Sequence, residues 1–289
     1  MNVLTVEQKA QVFELSYDYI AYLRASKSEW PEAGKLSREL LLARSTLNTP
    51  SATPAVAVPE VRPDQGHKSL RVGLGSGNRD GVNYQELTIR PAYHDQTDPG
   101  AGYIRGAEIQ FFNLALRHYE NGETTRVEEF VPIDVFSLSP RNEFFQSLSW
   151  KVNVGWARKR MADGSEPLVA RLNGGAGYAW DALSRDQPFA LTYAFMEGSL
   201  ETSKKFDSDY AFGIGPSIGV IGDVNSQWRV NAYASVQRFA LGDQHTKADL
   251  ILLQRYSIGA QTALRLEVAR KMEFDFVWTD ARLSLQQYF

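Results

Sequence analysis

From His67 to Phe289 the chain alternates apolar and polar side chains with a period of two, and this feature constrains the fold more than any other. In LSWKVNVGW (148–156), Leu148, Trp150, Val152, Val154 and Trp156 face one way, and Ser149, Lys151, Asn153 and Gly155 the other. WRVNAYASV (228–236) sets Trp228, Val230, Ala232, Ala234 and Val236 against Arg229, Asn231, Tyr233 and Ser235. FGIGPSIGV (212–220) and LRLEV (264–268) repeat the pattern. Successive side chains of a strand point to opposite faces, so these are strands with one apolar and one polar side.

Turn signals cut the region into about twelve strands, near 67–76, 83–94, 105–119, 124–138, 147–159, 168–181, 188–200, 210–222, 227–240, 247–259, 262–272 and 280–289. Asp80-Gly81, Asn121-Gly122 and Asp163-Gly164 are hairpin dipeptides. Strands on the order of ten residues span a bilayer when tilted. About eight strands leave an interior that side chains can fill, whereas twelve enclose a lumen. Trp and Leu turned inward would line an apolar void, so the polar face points inward and the apolar face meets lipid.

The sequence therefore predicts an all-β fold, an antiparallel transmembrane barrel of about twelve strands. Its lumen-lining set is Arg90, Lys151, Asn153, Arg171, Asn173, Arg229, Asn231, Arg255, Arg265, Glu267 and Arg282. Trp150, Trp156, Trp180, Trp228 and Phe289 are the expected membrane-interface anchors, with Trp150, Trp180, Trp228 and Phe289 near one rim. An open lumen of this composition would be narrow, basic and anion-favouring. A lumen plugged by Arg–Glu pairs is the other outcome.

Residues 1–48 have a different period. Thr5 and Gln8 form a capping-box pair, and Val12, Leu15, Tyr19 and Tyr22 recur at helical spacing. A second helix is expected from about Pro31 to Leu47, with Leu36, Leu40 and Leu41. Two short helices make no core by themselves and need a docking partner. Residues 49–66 are a Pro-rich linker ahead of the barrel at 67–289.

The net charge of -3 gives no electrostatic case for nucleic acid. The absence of Cys excludes disulfides, thiol catalysis and Cys metal sites, and no cofactor is implied. There is no apolar run long enough for a membrane-spanning helix. MNVLTVEQKAQ lacks the basic region and apolar core of a signal peptide, so an exported chain would carry its signal elsewhere.

Other motifs are weak. Gly73-Leu74-Gly75-Ser76-Gly77 lacks the Lys-Ser/Thr of a phosphate loop and reads as strand glycines. Gly174, Gly175, Gly177, Gly213, Gly215 and Gly219 read as lumenal or closely packed strand positions. The four His have no metal-ligand spacing, although His94, Asp95 and Asp98 share one long turn. His67-Lys68-Ser69 is the one local Ser–His pair, placed where linker is expected. No catalytic or metal residue is assigned.

A closed barrel pairs its last strand with its first. In ARLSLQQYF, Ala281, Leu283, Leu285 and Phe289 resemble the C-terminal assembly signal of bacterial outer-membrane proteins, from which Gln287 departs. RPAYHDQTDP (90–99), GAEIQFF (106–112), SLSPRNEFFQSLSWKVNVG (137–155), LNGGAGYAW (172–180) and GIGPSIGVIG (213–222) go further. Together they resemble the C-terminal barrel of uncharacterised Gram-negative envelope proteins that carry an Lnb-like periplasmic domain, related to lipoprotein N-acyltransferases. That resemblance implies an outer-membrane location and a periplasmic N-terminal segment with the enzyme domain upstream. It implies outer-membrane lipids and the barrel-assembly machinery as partners. The expected function is a barrel anchoring that domain, with or without a small channel. A barrel-wall lipid hydrolase or acyltransferase and a soluble ligand-binding β-barrel are the alternatives.

Overall fold

Alternation produces long antiparallel strands, and twist closes them. The computed structural model describes residues 4–26, 30–51, 61–122, 124–182 and 190–289, in two units, Met1–Val58 and Pro59–Phe289. Residues 52–60 of the expected linker lie outside the described residues.

The second unit contains β1 (Arg71–Arg79), β2 (Val82–Arg90), β3 (Ala92–His94), β4 (Ala107–Tyr119), β5 (Thr124–Ser137), β6 (Ser149–Arg158) and β7 (Leu168–Asp181). It continues with β8 (Ala190–Thr202), β9 (Tyr210–Asp223), β10 (Trp228–Gly242), β11 (His245–Gly259), β12 (Thr262–Glu273) and β13 (Phe276–Tyr288). Every neighbour pair is antiparallel. β2 and β3 are one stave interrupted at Pro91, which has no N–H for the ladder, and both parts pair with β4. Counted so, the barrel has twelve staves.

Closure comes from β13 pairing with β1, in register from Arg71↔Tyr288 to Arg79↔Asp280. The Phe289 N–H also donates to the Leu70 carbonyl at 2.8 Å. Closure pairs the edges that β1 and β13 would otherwise offer to another chain. We call the end where β1 starts and β13 finishes the lower rim, and the opposite end the upper rim.

The wall is inside-out relative to a water-soluble protein. Ile214, Ile218, Leu250 and Leu283 point outward and are each more than half exposed. Arg90, Glu197, Arg229 and Arg255 point inward and are buried. An apolar outer belt around a polar interior is the polarity of a barrel immersed in lipid, and it excludes the soluble alternative. Small residues let the interior fill: a Cβ at Gly219 would run into the Tyr193 ring.

Two staves break the period of two. Phe112 in β4 has φ 57°, so Glu108 and Gln110 face inward before it and Asn113 and Arg117 after it. In β5 the register shifts between Phe130 and Ile133, and both Glu129 and Asp134 face inward. Such bulges insert one residue and swap the faces beyond it.

In the first unit, α1 (Val6–Ser26) starts at the expected capping box. The Thr5 N–H donates to Gln8 Oε1 and the Gln8 N–H to Thr5 Oγ1. α2 (Ala33–Ser45) packs on it, tied by Arg44 Nε to Glu14 Oε1 at 2.7 Å. Ala10, Ile20 and Ala33 fill the contact, while Val12, Leu15 and Tyr22 of the expected stripe stay exposed.

Candidate functional site

The interior divides into three layers. At the lower rim the segment after β3 turns into the barrel, burying Asp95, Gln96, Thr97 and Asp98. Arginines from four staves converge on it. Arg90 Nη1 donates to Asp98 Oδ2 at 2.5 Å, Arg71 Nη1 to Asp98 Oδ1 at 3.0 Å, and Arg265 Nη1 to Asp95 Oδ2 at 2.9 Å. Arg71 also pairs with Asp95. Arg229 Nη1 donates to the Gln96 carbonyl at 3.0 Å, while its Nε meets Asp223 Oδ1 at 2.5 Å. The Tyr288 hydroxyl donates to Asp98 Oδ1 at 2.6 Å. Burial alone would raise the Asp98 carboxyl, and Asp95 adds to that, yet Arg90 and Arg71 hold it well below the usual carboxylate range.

His67 belongs to this layer, not to a linker. It is buried, its ring stacks on His94 and Tyr103, and its Nε2 lies 2.8 Å from His94 Nδ1. Its partners are His94 and the Lys68 carbonyl rather than Ser69, so the local Ser–His pair is not assembled. Burial pushes the His67 imidazole below its ordinary value, against the pull of Asp98. His67 Nε2, His94 Nδ1 and Asp98 Oδ2 form a three-donor cluster that sequence spacing did not reveal, because its members come from two separate strand ends. Asp98 is already committed to Arg71 and Arg90, and that surplus of positive charge disfavours a metal cation there.

The middle layer is a cavity of about 420 Å³. Lys151, Asn153, Arg171, Asn173, Asn231, Arg265, Glu267 and Arg282 all line it, whereas Arg90, Arg229 and Arg255 sit in the lower layer. Lys151 pairs with Glu197 Oε1 at 2.6 Å and Arg171 with Glu129. Arg282 bridges Glu86 Oε1 at 2.8 Å and Glu267 Oε2 at 2.7 Å. Asn153 Oδ1 accepts from Arg171 Nε, and Asn173 Nδ2 donates to Ser199 Oγ.

The lumen is not basic. Seven Lys and Arg line the cavity against nine Asp and Glu. Of those acids, Glu86, Asp95, Glu108, Glu129, Asp134, Glu197, Glu201 and Asp249 were missing from the sequence-derived set. Applying the period of two to β8 exposes Glu197 and Glu201 at once. Glu108 and Asp134 are hidden by the bulges, which break parity within their staves.

The upper layer centres on Lys159, which is buried and whose Nζ meets Glu201 Oε2 at 2.6 Å, Glu273, and His245 Nε2 at 3.0 Å. His245 donates through Nδ1 to the Asp243 carbonyl, which leaves Nε2 as the acceptor. The rings of Phe239 and Phe274 sandwich His245, and Phe206 completes the cage around the ammonium. The ammonium hydrogen-bonds to Glu273 and His245 and is paired in charge with Glu201.

On the outside, Trp150, Trp180, Trp228 and Phe289 lie at the lower ends of β6, β7, β10 and β13 and Trp156 near the upper end of β6, all part-exposed.

Residues 60–288 match the family model of a domain of unknown function, DUF7840, and residues 1–56 that of a second, DUF7842. No curated protein matches the chain by sequence. Among solved structures, the NanC porin is similar at 8% identity and TM-score 0.45, covering 76% of this chain and 100% of its own. The KdgM porin in complex with disordered oligogalacturonate gives 8%, 0.42, 76% and 99%. An outer-membrane channel from Pseudomonas putida F1 gives 10%, 0.43, 83% and 99%.

Proposed function

The chain belongs to the DUF7840 family, and we propose that it is an outer-membrane β-barrel whose plugged lumen makes it an anchor for a periplasmic, Lnb-like domain rather than an open pore. The observation that carries this reading is the acidic segment Asp95–Asp98 pinned across the lower mouth by Arg71, Arg90, Arg229 and Arg265. A passage for solutes would not hold four guanidiniums on one buried loop. The lower rim faces the periplasm in this reading, with Trp150, Trp180, Trp228 and Phe289 anchoring it in the membrane interface. β13 is the strand we assign to recognition by the barrel-assembly machinery. Among the described residues no Ser–His pair supports a barrel-wall hydrolase.

Purified barrel in planar bilayers should show no steady conductance, and its gel mobility in detergent should be heat-modifiable. Asp95→Ala with Asp98→Ala should unseat the segment and produce discrete steps. Steady conductance in the unaltered protein would reject the plugged reading. A detergent-free monodisperse monomer would reject the membrane reading.

A further inference from the structure

Most charges of the middle cavity are matched in pairs. Among the described residues Asp249 and Lys271, which face each other across β11 and β12, have no salt bridge, and a second remainder lies on the β4–β5 wall. Glu108 and Asp134 both face the cavity, and among the described residues neither has an ion-pair partner within salt-bridge distance. Asp134 is the strongest charged neighbour of Glu108. Asn153 hydrogen-bonds to Asp134, and the cations that act on Asp134, Arg171 and Lys151, are committed to Glu129 and Glu197. Two carboxylates left together without a cation are costly in a confined site.

A second observation comes from the amides beside them. Gln110 lies directly across from Asp134 in the β4–β5 register and is only 7% exposed. Its Nε2 donates to Glu108 Oε1 at 2.5 Å, and its own Oε1 is buried and without a partner. Asn113, the next inward residue past the bulge, likewise has a buried Oδ1 with no partner. Both residues line the same cavity. The wall therefore presents two carboxylates that have hydrogen bonds but no cation, and two unsatisfied amide oxygens. It is a set of acceptors that lacks its donor.

We propose that this wall binds a hard divalent cation of the Ca²⁺ class. All of the donors are oxygens, which excludes the softer metals that prefer nitrogen and sulfur. Two carboxylates match a charge of two, and the cavity leaves room for waters to complete the shell. Ca²⁺ accepts six to eight oxygens in irregular geometry, whereas Mg²⁺ demands a near-ideal octahedron, so Ca²⁺ fits this wall better. The site does not depend on whether the barrel conducts.

The test uses Tb³⁺, a luminescent substitute for Ca²⁺, with Tyr193 in the same cavity as sensitiser. The full chain, folded in detergent, should give saturable emission that Ca²⁺ displaces at lower concentration than Mg²⁺. Glu108→Gln and Asp134→Asn, checked for folding by heat-modifiable mobility, should each weaken binding by at least about tenfold. Glu143→Gln, in an exposed loop, should bind like the parent. Asn113→Leu removes one oxygen without touching a carboxylate and should weaken binding less than either of those changes. It keeps the test open if a carboxylate variant fails to fold. Absence of Ca²⁺-displaceable emission, or folded variants at Glu108, Asp134 and Asn113 that bind like the parent, would overturn the site.

Discussion

The hydroxyl of Tyr288 donates to Asp98 across 190 residues of chain, at 2.6 Å in a buried setting. Tyr288 is the last residue of β13, and Asp98 is the deepest acid of the inserted segment, so one bond joins barrel closure to that segment. Tyr288→Phe leaves the ring in place and removes one donor to a buried carboxylate. It should cost about 1–3 kcal/mol, read as a lower urea midpoint with an unchanged slope in a lipid-refolding titration.

Facing can be checked on neighbouring residues. Val152 points to the lipid near mid-strand and Asn153 to the cavity. Val152→Arg should destabilise by roughly 2–4 kcal/mol in a bilayer. Asn153→Arg should cost less, because Glu129 and Asp134 are within reach of a new cation. Equal costs in the same titration would contradict the assigned faces.

Acid should loosen the lower layer in two separate windows. His67 is held below its ordinary value in the folded chain. Its unfolded form therefore takes up the proton first, and stability falls as pH drops below about 6.5. Asp98 is depressed in the folded state, so its contribution is complete above about pH 4 and lost as pH falls further. His67→Gln should reduce the slope of stability against pH in the upper window, and Asp98→Asn in the lower. Urea midpoints between about pH 3 and 7.5 would check both, and identical slopes in parent and variants would reject the assignment.

Lys159 makes the sharpest demand on its surroundings. Lys159→Met leaves Glu201 and Glu273 facing each other with only Lys247, 3.9 Å from Glu201, as a cation, and should cost about 3–5 kcal/mol. Adding Glu201→Gln and Glu273→Gln to that variant should recover much of the loss. A triple variant no more stable than the single one would mean that the ammonium contributes through packing against Phe239 alone.

The stave pattern was legible because each side chain's face follows from its parity, as in Trp150 to Trp156. The expected boundaries fall within a few residues of β4 to β13, and the pairing of β13 with β1 follows from closure. Parity fails where a residue is inserted, and so Asp134 and Glu108 were missed. His67 was read as linker because nothing local distinguishes a buried ring from an exposed one; its partners His94, Tyr103 and Tyr288 lie 27 to 221 positions away. The acids were under-read for a different reason. A list of inward arginines suggests a charged tube, whereas the sign of a lumen depends on counting both sides of each pair.

The seat of the inserted segment also has an order in time. Asp95 and Asp98 leave any assembly line early, ahead of ten of the twelve staves, yet their holders Arg229, Arg265 and Tyr288 arrive on β10, β12 and β13. Until β13 has zipped to β1, the segment has only Arg71 and Arg90 to rest on. A half-built barrel must therefore carry an unseated, charged loop at its mouth, and the finished one cannot release it without loosening its own seam. The inserted segment is in effect a latch that reports completion.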